Sequence, residues 1–363
     1  MPAQPISELT PNVHTLAAKT DTDLAQFSSQ HQCHHFRFHG HALEYLGIWM
    51  VNFLLTIVTL TLYSPWAKAR RLRYFYINTE CLQQRFDFTA LPLRILWGRL
   101  FALELYIVGL ILLHYSVMAT SSLLLILALI LPWLLRMSLS FKARNSSFGY
   151  VSFYFSGRLK DAYKTFALMV VLSVGSLFIA SPLVIWLYKR YCFNHLQLGQ
   201  FKFNLDVHWS VVFKAVYIPV LICLGLTIGW LSVIGSKIET FGLNWQTGVL
   251  VAGYMFILFM IWPMIQARLY KMTWNHLKLN QSYFKTRISL WRYSWIKFTN
   301  TLLRILSLGI LTPWAAIRLY RYQMAHLDLY LAPSDQQLET MLCVEQSAVA
   351  DELLSFFDLD VSL

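Results

Sequence analysis

Charge is what this chain has least of. Only 13% of its 363 residues are Asp, Glu, Lys or Arg, against roughly 25% in a typical soluble domain, while 57% are hydrophobic and 16% aromatic. That balance excludes an ordinary soluble enzyme built round one buried core, and it excludes disorder over most of the length. Paired cysteines are absent too. Cys33, Cys81, Cys192, Cys223 and Cys343 are widely spaced with no CxxC, which argues against a disulfide framework or a structural zinc. No apolar run precedes residue 42, so a cleaved signal peptide is not expected and the first hydrophobic segment is expected to direct insertion. The signatures GxSxG, HExxH, GxxxxGK(S/T) and GxGxxG are all missing, so neither a catalytic residue nor a cofactor is expected.

The charge that is present is unevenly placed. All of the 30 Lys+Arg except Lys19 lie in 36–330, with 8 of the 18 Asp+Glu; residues 331–363 hold acids and no base. Basic residues flanking apolar runs predict loops that face anionic lipid headgroups. They do not form the single stripe that nucleic acid requires. Three parts follow: a polar N-terminal arm at 1–35, a membrane domain at 36–330, and an acidic tail at 331–363 that either recruits a protein partner or stays solvated. Ser334 or Asp335 is expected to cap a short helix in that tail.

Apolar segments occur near 45–64, 95–117, 119–135, 165–187, 211–235, 247–265 and 295–314, with aromatic residues such as Trp66, Trp97, Trp133 and Trp209 at their ends. Lengths near 18–20 residues and interfacial aromatics predict membrane helices. The expected fold is therefore all-α, a polytopic helical membrane protein with about seven hydrophobic segments. The number of crossings stays open. Seven crossings put basic loops on both faces. Keeping the loops 65–94, 136–164, 188–210 and 266–297 on one face instead leaves four crossings, with 45–64, 165–187 and 295–314 re-entrant or interfacial.

Self-similarity is the strongest internal signal. An apolar run, a proline and a basic-aromatic run recur at Pro65, Pro132, Pro182, Pro263 and Pro313, and Asn78, Asn145, His195, His276 and His326 each follow thirteen residues later. The first copy carries Trp66 and Arg70. A second pattern, FxFxGxxx(D/E), occurs at Phe36–Glu44 and at Phe153–Asp161, as a short strand or an extended interfacial segment. Glu44 and Asp161 are expected in the first turn of a helix, where its dipole favours an anion. These matches suggest repeat units at about 36–152 and 153–290 with a partial third at 291–330.

The stretch FRFHGHALE (36–44) followed by NFLLTIVTLTLYSPWAKARRLRYFYINT (52–79) resembles the YjgN family of bacterial inner-membrane proteins, a domain of unknown function. The resemblance covers about 36–330 and is closest over its first 60 residues. Departures are TLTLY at 59–63, Leu82 where the family has glycine, and Thr-Ala after Phe88. It implies a multi-pass inner-membrane location and brings no activity with it.

Intramembrane polar residues are the candidate functional positions: Arg304, Glu104, and the repeat-related Asn52 and Asn300, whose alternative role is hydrogen bonding between helices. His31, Cys33, His34, His35, His39 and His41 form a cluster of metal-ligand types, but its spacing fits no closed site, and no metal is expected. His195, His276 and His326 are either pH-sensitive groups beside lipid phosphate or interfacial hydrogen-bond donors. The functional expectation is a transporter or channel-like path for a small solute, ion or lipid. Its alternative is a membrane scaffold with lipid-binding basic loops and a partner-binding acidic tail.

Overall fold

The computed structural model describes residues 31–241 and 245–335. Their architecture corrects the all-α expectation. Eleven short antiparallel strands form one nearly closed barrel, in the order β1-β11-β10-β9-β8-β7-β6-β5-β4-β3-β2. The two ends of that order, β1 (Gln32–His35) and β2 (Arg37–Phe38), are consecutive in the chain and separated only by Phe36. The FxFxG stretch thus continues β1, which pairs β11, through the Phe36 N–H bonded to the Leu327 carbonyl, and then pairs β3 through Arg37 and Phe38.

Five β-α-α-β units follow one another round this barrel. The first holds β2, α1 (Ala42–Val58), α2 (Ser64–Ile77) and β3 (Thr79–Cys81). The second holds β4 (Gln84–Phe88), α3 (Pro92–Tyr115), α4 (Val117–Arg144) and β5 (Ser146–Phe148). In the third are β6 (Val151–Phe155), α5 (Leu159–Gly175), α6 (Ser181–Asn194) and β7 (Leu196–Leu198). The fourth has β8 (Phe201–Leu205), α7 (Trp209–Phe241), α8 (Trp245–Asn275) and β9 (Leu277–Leu279). The fifth has β10 (Ser282–Thr286), α9 (Leu290–Leu306), α10 (Thr312–Met324) and β11 (Leu327–Leu331). Long and short helix pairs alternate.

This alternation corrects the count of seven. Among the described residues, four helices are long and apolar enough to cross a membrane: α3, α4, α7 and α8. The segments at 45–64, 165–187 and 295–314 each fold into a helix, a five-residue tip and a second helix. At about 1.5 Å per residue, the 17-residue first helices are only about 25 Å long, short of a bilayer core of about 30 Å.

The residue thirteen past each proline has one job in all five units. Its side chain donates to the carbonyl four residues back and caps the second helix: Asn78 to Tyr74, Asn145 to Phe141, His195 to Tyr191, His276 to Met272 and His326 to Tyr322. An amide Nδ2 and an imidazole Nδ1 reach equally well, which explains why Asn and His interchange. These contacts put the histidine proton on Nδ1. The capping residue's own carbonyl accepts from His39, Thr89, Ser156, Asp206 or Arg287, at the start of that unit's first helix. The tyrosine nine past Pro65 and Pro313 closes the same junction from above: Tyr74 bonds His41 and Tyr322 bonds Ser289 through their backbone groups.

Strand residues at the matching position of each unit give five phenylalanines, Phe86, Phe36, Phe284, Phe203 and Phe153, in contact in that order with ring centroids 6.3–6.4 Å apart. With Phe148, Leu198, Leu279 and Leu329 they fill the barrel.

The glycine of FxFxG is required by this packing. A Cβ on Gly40 would lie 2.4 Å from Phe38 Cζ, and one on Gly157 would lie 2.6 Å from Phe155 Cε1. Neither ring can withdraw, since Phe38 is held by Phe75 and Tyr320, and Phe155 by Tyr191. Arg321 and Arg136 bond the carbonyls of Gly40 and Gly157. Gly40→Ala and Gly157→Ala are each expected to destabilise the protein by about 1–3 kcal/mol, measured by unfolding in detergent. Gly225→Ala, which meets nothing within 4 Å, is the control expected to show no loss.

Candidate functional site

The C-terminal turns of the five proline-led helices stand in a ring above the barrel. Between them and the phenylalanine layer lies a cavity of about 530 Å3. Its floor is Phe36, Phe86, Phe153 and Phe155, and its wall includes Tyr76 of α2, Leu139 of α4, Phe193 of α6, Trp274 of α8 and Met324 of α10. All five units therefore contribute. The size matches an ordinary small-molecule site.

Polar groups are few. Lys142, Gln323, Ser146 and Cys192 are in the lining, and Lys142 is exposed. Thr79 Oγ1 is taken by the Tyr320 hydroxyl at 2.9 Å. The Tyr270 hydroxyl is buried in the wall with no protein partner, and a buried hydroxyl left unpaired costs free energy. Among the described residues, no carboxylate lines the cavity. Two further lysines stand near the lining without being part of it: Lys68 within electrostatic reach of Lys142, and Lys189 within reach of Cys192. The Lys68 amine is held below the usual lysine range by burial and by the neighbouring Lys142 and Arg99. Burial likewise depresses Lys189, which donates to Thr273. Among the described residues, none of these three lysines is in an ion pair.

A second basic concavity of about 470 Å3 lies between α9 and α10, lined by Arg292, Arg318, Arg321, Trp295, Trp314 and His326, again with no carboxylate among the described residues. Arg318 sits over the Trp314 ring at 5.2 Å and bonds Thr299 and Asn300.

The residues proposed from sequence fall in several places. Asn300 donates across the helix pair to the Ala315 carbonyl at 2.8 Å. Asn52 is equally buried, and its Oδ1 has no partner. Arg304 lies in the last turn of α9, outside the four long helices, with Nε buried and unpaired. Glu104 is exposed on α3 and does not face the cavity. Glu44 accepts from the Tyr74 hydroxyl at 3.0 Å, while Asp161 is 3.9 Å from His195 Nε2. Pro65, Pro132, Pro182, Pro263 and Pro313 are all buried at or within the second helix of a pair. Trp66 follows the first of these, and Arg70 lies over the Tyr63 ring at 5.8 Å.

Of the histidine-rich stretch, Cys33 and His35 come within 4.8 Å of Asp328. That carboxylate is already held by His35 at 2.6 Å and by Arg287 at 2.8 Å, so a guanidinium stands where a metal would supply charge. The capping helix expected at Ser334 or Asp335 is a 3-10 turn, Pro333–Asp335; the rest of the acidic tail and the arm at 1–30 lie outside the described residues. Sequence reasoning missed Lys142, Lys189 and Tyr270. Their signal is the offset of seven or ten residues from the proline, which puts a side chain on the inner face of the ring.

Comparison with known proteins gives relatives without a chemistry. The chain is 32% identical to the inner membrane protein YjgN of Escherichia coli K12 over 152 residues, 39% of this chain and 36% of that one. It is 32% identical to inner membrane protein YjgN of Salmonella typhimurium LT2 over 150 residues, 41% of this chain and 38% of that one. These matches span well under half of either relative. No solved structure matches. The profile of the family described as bacterial protein of unknown function (DUF898) matches residues 33–356, and the chain belongs to that family.

Proposed function

We propose that this chain is a multi-pass bacterial inner-membrane protein that binds an amphiphile with an anionic head, a lipid or a lipid-like solute, in the cavity above the barrel. One observation carries the reading: the cavity has an aromatic floor, an unpaired tyrosine hydroxyl in its wall, Lys142 in its lining with two more lysines nearby, and no carboxylate among the described residues that line it. An acyl chain satisfies the floor, and a phosphate or carboxylate head satisfies Lys142. The arginine-tryptophan groove between α9 and α10 fits the same class of headgroup. The names of the relatives and the four long helices support the location.

Lipid handling is favoured over an aqueous channel. The hairpins α3/α4 and α7/α8 pack chiefly within themselves and with the adjacent short helices. Their apolar surfaces are largely exposed, so one chain supplies no closed wall round a water path across the bilayer.

The test is displacement of a fluorescent acyl-chain probe from purified protein in nanodiscs, with bound lipid identified by native mass spectrometry. Ala143→Leu and Leu139→Trp narrow the cavity and are expected to weaken binding at least tenfold. Removing 336–363 is expected to leave it unchanged. Unaltered binding in the narrowed variants sinks the reading, and loss of binding on tail removal favours a partner-dependent scaffold.

A further inference from the structure

The three short helix pairs end in tips of one design. Thr59–Tyr63, Ser176–Ala180 and Ser307–Leu311 each put a leucine in the left-handed region: Leu60 at φ 46°, Leu177 at 49° and Leu308 at 50°. In each, the next residue's N–H reaches five residues back, Thr61 to Thr56, Phe178 to Ser173 and Gly309 to Arg304, at 2.7–2.8 Å. This is the Schellman helix ending, in which glycine ordinarily takes the left-handed position. The first tip residue then caps the next helix, Thr59 to Tyr63, Ser176 to Ala180 and Ser307 to Leu311.

The leucines are among the most exposed side chains in the chain, at 85%, 82% and 94%. Leu62, Phe178, Ile179, Leu306 and Ile310 beside them are exposed as well. No charged residue occurs in 45–67, 165–188 or 305–317.

Two contacts fix where the tips stand against the long helices. Arg99 of α3 bonds Ser64 at the base of the first tip, and Tyr217 of α7 bonds the Ile179 carbonyl in the second. From Arg99, α3 runs sixteen residues on to Tyr115, and α7 runs twenty-four beyond Tyr217 to Phe241. At 1.5 Å per residue these are about 24 and 36 Å. With a hydrocarbon core of about 30 Å, these two tips lie near the membrane boundary on the barrel side, within reach of one leaflet only, and the third closes a helix pair of nearly the same lengths.

We propose that the three tips are anchors in the leaflet next to the barrel, entering the headgroup-acyl boundary without crossing it, and that they seat the cavity rim against that leaflet. The basic residues on the barrel side make this the cytoplasmic leaflet. An apolar face at this depth is covered by lipid as an interfacial helix is. The inference does not depend on what the cavity binds.

The experiment introduces Leu60→Cys, Leu177→Cys or Leu308→Cys singly into the full chain, with native cysteines kept as the baseline. Labelling above that baseline is read in spheroplasts and in inverted vesicles. A membrane-impermeant maleimide is expected to add no label from either side, while a lipid-soluble maleimide adds one per chain. Impermeant label from the outer face means the segment crosses; label from the barrel side means the tip stands in water. Either result overturns the proposal. Leu177→Asp combined with Leu308→Asp touches no packed side chain. It is expected to leave folding in detergent unchanged and to lower by several-fold the protection of a nearby reporter cysteine from the impermeant reagent; unchanged protection also counts against insertion.

Discussion

Asp335→Ala is expected to cost on the order of 3–5 kcal/mol and to loosen the last hairpin of the barrel. The Asp335 carboxylate is 1% exposed. It accepts from Asn280 Nδ2 at 2.7 Å, from the backbone N–H groups of Gln281 and Ser282 at 3.1 and 3.0 Å, and from Ser282 Oγ at 2.7 Å. Ser282 is fully buried and its Oγ accepts in turn from the Ala332 N–H. One side chain therefore clasps the β9–β10 turn, where Asn280 holds φ 54°, to the chain leaving β11. Alanine strands several buried donors at once. Asparagine keeps the shape and one acceptor oxygen, so Asp335→Asn is expected to lose roughly half as much. Unfolding in detergent measures both, and amide exchange at 279–283 localises the change. Losses below about 1 kcal/mol in both variants would mean that the clasp does not form.

The same residue shows how much of the fold was legible. A carboxylate after Pro-Ser caps a helix readily, and the local sequence suggests that role for Asp335; its real donors come from a turn more than fifty residues earlier, which no local pattern reveals. The strands were obscured for a related reason. They are two to five residues long and sit beside long apolar helices, so their alternation is swamped by the hydrophobic signal. Only Phe36-x-Phe38 and its relatives showed through, because the glycine behind them must be small. The proline motifs, by contrast, were fully visible, and the residue at offset thirteen is a working cap in every unit. Crossing number stays open in the sequence because length and apolarity alone cannot separate a span from a hairpin whose tip is itself apolar. The four-crossing arrangement, with all basic loops on one face, is the one the long and short helix pairs support. Its signal was the recurrence of Thr59-Leu60, Ser176-Leu177 and Ser307-Leu308 five or six residues before a proline. The cavity was not legible at all. Lys142, Lys189 and Tyr270 belong to three different units, and only barrel closure brings them together.

Charge reversal at Lys142 and Lys189 should separate a lipid-head site from a merely apolar hole. Lys142→Ala is expected to weaken binding of an anionic acyl probe about tenfold, or 1.4 kcal/mol, a modest effect because the ammonium is open to solvent. Lys142→Glu with Lys189→Glu puts one carboxylate in the lining and a second close to Cys192, and is expected to weaken binding about a hundredfold. An uncharged acyl alcohol should be far less affected, and this contrast excludes general damage to the cavity. Titration gives an independent check. Burial lowers the Lys189 pKa, so its proton leaves at a lower pH than that of a free lysine, and the attraction leaves with it. Anion affinity is therefore expected to fall as pH rises through that depressed value, while a bound anion favours the charged amine and pushes the value back up. Lys189→Arg stays charged over this range and should flatten the profile without abolishing binding. A parent profile already flat up to the range of a free lysine, with equal affinity for the acid and the alcohol, would leave the lysines as solvated helix charges and the cavity as a site for neutral lipid.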